Sequence, residues 1–588
     1  MRHVIPIFLA CAALAAGGSA APRQDWSHYV RIAGHGLRSA NVPAIMAEST
    51  QSHVFGIEVD NDIPGRYESF LDPAAKLRDI REAAAAAHEA GNKAFVYIAG
   101  LECITAHADK TPHSFFKDHP DWVQRQLNGT PAVFGGGVAF WVAPGDEDVW
   151  ISPYAPEWRA RYMRLVRQIA ATGIDGVYVD IPYWMTHFEG WEKTWASFDD
   201  YTVAAFKRET GLDARSLQLG DASGAGFRRW IDFRIRTITA FMREIDQNVK
   251  AANPRCLTIA EIYPGIEETV PRVGADVYEL YPVVDAIAHE YQGTADHMAA
   301  SKSPAGWIDQ FIGMFAFRAF AEGKPSWMLN YSWDGEKGVS IPESMKTLFA
   351  AQLTAGANSW DAKGHVMSGS NDLAVRTEVF GWIAQHEKTF YDPREPVDPI
   401  GIYFSPQARN YSPEPYIKAF KGAMAAILQS HREFQIVTPR TLAQFHGKVL
   451  ILPGARWMAG EEIAGVRSRH LLISEADSES AEFVASLAKA AEGHAVSVNA
   501  PPSVVAQIAR VNGRLHVFLD NLKGIVGKRN PLPEPEDGVE VSFDAGAGSH
   551  IYVLPFLGVI AEIPPQHSGK GMVARIPSFT RAAVVWCE

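Results

Sequence analysis

Residues 173–184 read Gly-Ile-Asp-Gly-Val-Tyr-Val-Asp-Ile-Pro-Tyr-Trp, and this stretch decides the fold. Val177, Tyr178 and Val179 have the β-branched and aromatic character of a short buried strand. Asp175 and Gly176 mark the turn that feeds it. Ile181 and Pro182 stop it, so Asp180 stands at the strand's carboxyl end, with Tyr183 and Trp184 just beyond. Taken alone, Asp180 also fits as the cap of a following helix. A functional role is favoured because other strand ends carry acids too.

Outward from this strand, between about residues 50 and 390, short β-rich runs alternate with amphipathic helical stretches. That is the mark of a parallel sheet wrapped by helices. Strands are expected at 53–59, 93–98 and near 138–142, then the strand leading to Asp180. Four more follow: 257–260 ending at Glu261, 284–288 ending near Glu290, 326–329 ending at Asn330, and 357–360 ending at Asp361. Helices are expected at 73–90, ended by Gly91, and at 156–172, opened by Pro156, with a helical insert over 198–252. The count and span predict a (β/α)8 TIM barrel over 21–392, with its active site at the carboxyl ends of the strands.

Asp392-Pro393-Arg394-Glu395-Pro396 reads as a linker. Beyond it, 397–498 repeats the β/α alternation on a smaller scale, with strands at 400–404, 448–453 and 471–474 and a helix at 415–431. This predicts a small flavodoxin-like α/β domain. It contains neither GxGxxG nor GxxxxGK[ST], so nucleotide binding has no support. From 501 to 588 the pattern is all-β, with runs at 516–519, 539–543, 550–555 and 582–586 between Gly- and Pro-rich turns, and predicts a C-terminal β-sandwich.

A chain of 588 residues, 47% hydrophobic and 21% charged, is folded and multidomain. The net charge of −12 argues against a nucleic-acid partner. Arg2 and His3, the apolar run 4–16 and Gly18-Ser19-Ala20 read as a signal peptide over 1–20, cut after Ala20. The apolar run before Cys11 is too short for a lipoprotein box. No later run approaches the roughly twenty apolar residues of a membrane span. The expectation is a periplasmic or secreted protein, free of the membrane after cleavage. Cys103, Cys256 and Cys587 remain, too few and too irregular for a disulfide framework or a metal motif, though one pair could bond in an oxidising compartment.

The acids and amides at expected strand ends are Glu58, Asp60, Asp180, Glu261, Glu290, Asn330 and Asp361. On a barrel they converge on one mouth. Glycosidic-bond hydrolysis needs two carboxyls, a proton donor and a nucleophile or water-activating base, in environments that push their pKa values apart. Asp180 and Glu261, on neighbouring fourth and fifth strands, are the best pair. Asp180, in a polar strand-end loop, suits the ionised role. The apolar flanks of Glu261, Ala260 and Ile262, suit a raised pKa. Glu290 is the alternative acid. Glu58, Asp60, Glu290, Asn330 and Asp361 are candidate sugar ligands, with Tyr97, Tyr183, Trp184 and Trp360 among the aromatic ones; helix capping or a structural role is the alternative for each. Trp141, Trp150, Trp191, Trp195, Tyr263, Trp327, Tyr331 and Trp333 also fall in or near strand-end loops, where flat rings stack on sugar C–H faces. About half of these tryptophans are expected in the core. The aperiodic 183–195 cluster reads as a platform. No HExxH and no Gly-x-Ser-x-Gly occurs, so a metal site and a serine nucleophile have no support, and no cofactor is implied.

His119-Pro120-Asp121-Trp122 with Asn128-Gly129, Trp150-Ile151-Ser152-Pro153-Tyr154 and Asp175-Gly176-Val177-Tyr178-Val179-Asp180 resemble runs in poorly characterised (β/α)8 glycoside hydrolases, distantly like the α-amylase and α-fucosidase groups. That resemblance implies an Asp nucleophile at the end of the fourth strand, matching Asp180. The amylase likeness implies a Glu proton donor on the fifth, matching Glu261, although no Asn-His-Asp run follows the seventh strand. The order of barrel, amidotransferase-like α/β domain and β-domain resembles family 42 β-galactosidases. It implies a middle domain used for assembly, consistent with a homo-oligomer. Family 42 enzymes carry Asn-Glu where this chain has Val179-Asp180, so galactosidase activity is not implied. The expectation is an exported glycoside hydrolase acting on an oligo- or polysaccharide; the alternatives are a catalytically inactive carbohydrate-binding barrel and a metal-dependent deacetylase or hydrolase.

Overall fold

The computed structural model describes residues 25–588 except 61–62, 140, 264, 268, 291–304, 330–340, 363–371, 470, 474–480, 491, 526–531, 545–547 and 569–570. Its centre is a closed barrel of eight strands, each parallel to its neighbours. In chain order they are β1 (Ile32–Gly36), β2 (Ile57–Asp60), β3 (Ala94–Ala99), β4 (Gly176–Asp180), β5 (Leu257–Ile262), β6 (Ala286–His289), β7 (Ser326–Leu329) and β8 (Asn358–Ala362).

The expected total of eight is right, but two members of the set differ. β1 was not foreseen: Ile-Ala-Gly-His-Gly has little strand character by itself and is a strand because β2 and β8 pair with both its edges. Residues 138, 139, 141 and 142, in the stretch expected as a third strand, are turns and bends instead. That region belongs to an antiparallel three-stranded insert, Glu102–Thr105, Val133–Gly135 and Glu147–Trp150, sitting between β3 and β4. The two differences cancel, so Asp180 does end the fourth strand.

Strand periodicity sorts the barrel residues into two shells. Ile32, Phe95, Tyr178, Leu257, Ile259, Ala286, Ala288, Trp327, Leu329 and Trp360 pack together as the interior. Val59, Val96, Val177, Val179 and Ala260 belong to the larger core shared with the helices. The turn at Asp25–His28 closes the amino-terminal end: Trp26 stacks on Phe95 at 5.9 Å, and Trp327 Nε1 donates to the Ser27 carbonyl at 3.3 Å. The packed interior leaves the carboxyl ends as the place for a site.

Beyond the linker, Phe434–Val437, Ile400–Tyr403, Val449–Ile451 and Leu471–Ile473 form a four-stranded parallel sheet in that spatial order. The first of these was not foreseen. The remainder folds into two antiparallel sheets, of four and five strands, with one shared core that includes Val498, Phe543, Ala574, Val517, Val553 and Val585. Buried ion pairs join the units: Arg409 Nη2 lies 2.6 Å from Asp276 Oδ2, both about 1% exposed. Lys421 Nζ reaches Glu267 and Asp309 of the barrel, each at 2.9 Å. Cys103, Cys256 and Cys587 are buried and free, so no pair among them is bonded. Among the described residues no helix is long and apolar enough to cross a membrane.

Candidate active site

Which acids reach the barrel interior is decided by residue parity. On β4, Tyr178 points inward, so Asp180 two residues on does as well; on β5, Ile259 and Glu261 share a face, as do Phe95 and Tyr97 on β3. The ladders bring these positions to one level: Asp60 lies opposite Tyr97, Tyr97 opposite Tyr178, Ala99 opposite Asp180, and Glu261 opposite Ala288. Glu58, on the same face of β2 as Asp60, and Glu290, whose N–H continues the ladder from β6 to the Ile262 carbonyl at 3.1 Å, complete the acidic rim.

Asp180 and Glu261 are in contact but differently equipped. The Tyr97 hydroxyl donates to Asp180 Oδ2, and the Ile181 N–H donates to Oδ1 at 2.7 Å. Ile181 takes φ +44°, a left-handed conformation that costs a β-branched residue about 1–3 kcal/mol and turns the chain sharply at the acid. Glu261 is 5% exposed, and its Oε2 receives no hydrogen bond from any donor among the described residues. It stands beside Asp180 on the neighbouring strand end, one residue past the Val179–Ala260 pair. Burial first, then the Asp180 and Glu290 charges, drive the Glu261 pKa well above the usual carboxylate range. Asp180, with two donors, has the environment of the ionised partner, and Glu261 that of the protonated one.

The neighbours follow the same logic. Burial, with the Asp180 charge second, pushes Glu290 up to about 8. Glu58 is raised by burial and then by Asp60 and Asp180. Tyr97 stacks on Tyr178 at 5.8 Å, and Tyr178 meets Trp360 edge-on at 5.2 Å. The Tyr178 hydroxyl and Trp360 Nε1 are buried without a hydrogen-bond partner among the described residues.

Other expected ligands stand elsewhere. Asp361 has the opposite parity to Trp360, so it leaves the barrel on the helix side. It is wholly buried there, its Oδ2 2.5 Å from Arg376 Nε, while Glu48 lies 3.0 Å from Arg376 Nη1. It is a structural ion-pair residue and not a sugar ligand. Trp184 is also a correction: fully buried, it donates to the Arg234 carbonyl at 3.3 Å and lies under the Arg234 guanidinium at 5.4 Å. The Gly274 backbone, at φ +77°, comes so close that a Cβ there would fall 2.5 Å from the Trp184 ring. With Tyr183, Met185, Phe188 and Trp191 also buried, the 183–195 stretch is largely packed core and not an open platform. The Tyr183 hydroxyl sits 3.1 Å from His187 Nε2, and its ring lies edge-on to Tyr263 at 5.2 Å. Asn330, Tyr331 and Trp333 lie outside the described residues.

Sequence reasoning missed Glu102, whose pKa burial and the Asp180 charge raise to about 7. It comes three residues after the end of β3. It opens the first strand of the antiparallel insert, whose pairing with Glu147–Trp150 no local pattern announces.

A closed parallel barrel with a carboxyl pair on adjacent strand ends is, in class, a (β/α)8 barrel with a two-acid site at its mouth. Residues 85–264, spanning β3 to β5, match the family described as Glycosyl hydrolase-like 10. No curated protein matches the chain significantly in sequence. Among solved structures, the α-L-fucosidase isoenzyme 2 of Paenibacillus thiaminolyticus is similar with a TM-score of 0.63 and 13% identity, over 95% of this chain and 99% of that one. The β-galactosidase of Bacillus circulans sp. alkalophilus gives 0.65 and 12%, over 96% and 100%. That of Halorubrum lacusprofundi gives 0.61 and 11%, over 94% and 98%. At such identities the likeness is one of fold, and it extends past the barrel through the following units.

Proposed function

We propose that this protein is a glycoside hydrolase that cleaves an oligo- or polysaccharide with Asp180 as nucleophile or base and Glu261 as general acid. The observation that carries the reading is the pairing of two inward-facing carboxyls on adjacent strand ends, Asp180, which accepts from Tyr97 and Ile181, and Glu261, whose Oε2 is buried without a donor among the described residues. In the first step Glu261 gives its proton to the leaving glycosidic oxygen while Asp180, oriented by the Tyr97 hydroxyl, attacks the anomeric carbon or deprotonates a water that does. Glu58, Asp60 and Trp360 line the remaining rim as sugar ligands. Glu290 is a second reading for the acid, favoured by its own raised pKa of about 8.

The chain's amino terminus supports export to the periplasm or medium through cleavage after Ala20. The order of the parallel sheet around 400–473 fits an amidotransferase-like, flavodoxin-like unit, and the paired antiparallel sheets fit a β-sandwich. A homo-oligomer built on the middle unit belongs to the same proposal.

The test is reducing-sugar release from a glycan panel by wild type, Asp180→Asn and Glu261→Gln, with folding matched by circular dichroism. A hundredfold or greater loss in both variants, about 2.7 kcal/mol of barrier, is the expected result. Full activity in Glu261→Gln with loss in Glu290→Gln moves the acid to Glu290. Binding without cleavage by wild type makes the barrel a carbohydrate-binding protein.

A further inference from the structure

The three-stranded insert between β3 and β4 brings a second carboxyl and an indole to the same mouth. Gly100 N–H donates to the Asp180 carbonyl at 2.6 Å, and the Leu101 carbonyl accepts from Ile151 at 2.8 Å. Glu102 therefore leaves β3 directly beside the end of β4. Trp141 Nε1 donates to Glu102 Oε1 at 3.2 Å. Both residues are only partly buried, so an incoming ligand can touch them. On the facing strand of the insert, Asp148 is wholly buried two residues from Trp150, the ladder partner of Glu102. Behind Trp141 stands Phe188, at 6.0 Å, itself edge-on to Phe134 at 4.5 Å. The pair is thus packed into the insert while part of its surface stays accessible.

We infer that Glu102 and Trp141 form a sugar-binding subsite next to the scissile bond, Trp141 stacking on the C–H face of one pyranose ring while Glu102 binds hydroxyls of that ring. An indole face and a hydrogen-bonding carboxyl locked to its N–H are complementary to the two surfaces of a neutral pyranose, one apolar and one rimmed with hydroxyls. The subsite rests on the hydrolase reading for its substrate but not for its test.

The experiment measures kcat and KM for the best glycan of the panel with full-length wild type, Trp141→Ala, Trp141→Phe and Glu102→Ala. Calorimetric titration of the same glycan into Asp180→Asn and Asp180→Asn/Trp141→Ala accompanies it. A subsite that grips ground state and transition state alike raises KM with little change in kcat. The expected result is a tenfold or greater rise in KM for Trp141→Ala and Glu102→Ala, recovery in Trp141→Phe to within about threefold of wild type, and tenfold weaker binding in the double variant. KM and affinity within twofold of the parents overturn the subsite even if hydrolysis stands. A fall in kcat with KM unchanged overturns it as well, giving Glu102 a role at the reacting bond instead. If wild type cleaves no glycan, titration of the uncleaved panel into wild type and Trp141→Ala decides alone, and equal affinities, including no binding to either, overturn the inference.

Discussion

At the scale of single residues, this site turns on how many donors each carboxyl receives. Asp180 accepts from the Tyr97 hydroxyl and the Ile181 N–H, whereas Glu261 Oε2 is buried without a donor among the described residues, and the proposed division into base and acid rests on that asymmetry. The hydroxyl of Tyr97 is the nearest handle on it: Tyr97→Phe is expected to lower kcat by about tenfold to a hundredfold, the range for one lost hydrogen bond to a charged group, with folding unchanged, and steady-state kinetics check this. The pH profile tests the acid. A proton donor must be protonated, so activity falls as pH rises through its pKa; if Glu290 is the donor, the alkaline limb of kcat/KM lies near 8 and disappears in Glu290→Gln. Asp361 gives the contrasting case. Removing it leaves the buried Arg376 guanidinium with Glu48 as its remaining ion-pair partner among the described residues, so Asp361→Ala is expected to lose about 1–3 kcal/mol of stability in urea unfolding.

At the scale of elements, position along a strand mattered less than parity. Asp180, Glu261 and Asp361 all end apolar runs in the sequence, yet the first two share a face with interior residues and the third does not. Strand ends were legible because short β-branched runs stop at Pro, Gly or acids. The facing was not, because it depends on register with neighbours far away in the chain. The same holds for Trp184: nothing in Pro182-Tyr183-Trp184 signals that Arg234 and Gly274 will enclose its ring. The linker shows an element acquiring a role beyond connection. Arg394 donates to the carbonyls of Leu353 and Phe390 at 2.7 and 3.0 Å and covers the Phe518 ring at 3.5 Å, tying two barrel helices to the terminal β unit. Gly356, at φ +75°, leaves it room, since a Cβ there would stand 2.9 Å from the guanidinium carbon. Arg394→Ala strands buried carbonyls and is expected to cost about 2–4 kcal/mol, read as a lower urea midpoint.

At the scale of the whole molecule, the units meet through buried polar groups, which makes their association sensitive to pH. Asp520, on the strand Arg514–Asn521, faces Thr354 of the barrel helix Ile341–Ala355 at 3.5 Å, and burial raises its pKa to about 8. Its folded pKa lies above the unfolded value of about 3.9. The neutral acid therefore carries no penalty below pH 4, and stability is lost as pH climbs from there through 8. The melting temperature is expected to drop between pH 5 and pH 9, and Asp520→Asn to flatten that drop, as differential scanning calorimetry would show.

The sequence by itself determined the alternation of strand and helix and the strands that end at Asp180 and Glu261. These are local facts, written in residue periodicity and in what ends each apolar run. It could not assign β1, whose Gly-rich chain is a strand only because two neighbours pair with it, nor the antiparallel insert that brings Glu102 to the mouth. Nor could it say that Asp361 would face Arg376 and Trp184 would be enclosed. Tertiary structure decided those because register, closure and burial are set by contacts between residues hundreds of positions apart, and no local pattern encodes which side of a strand the rest of the chain will cover.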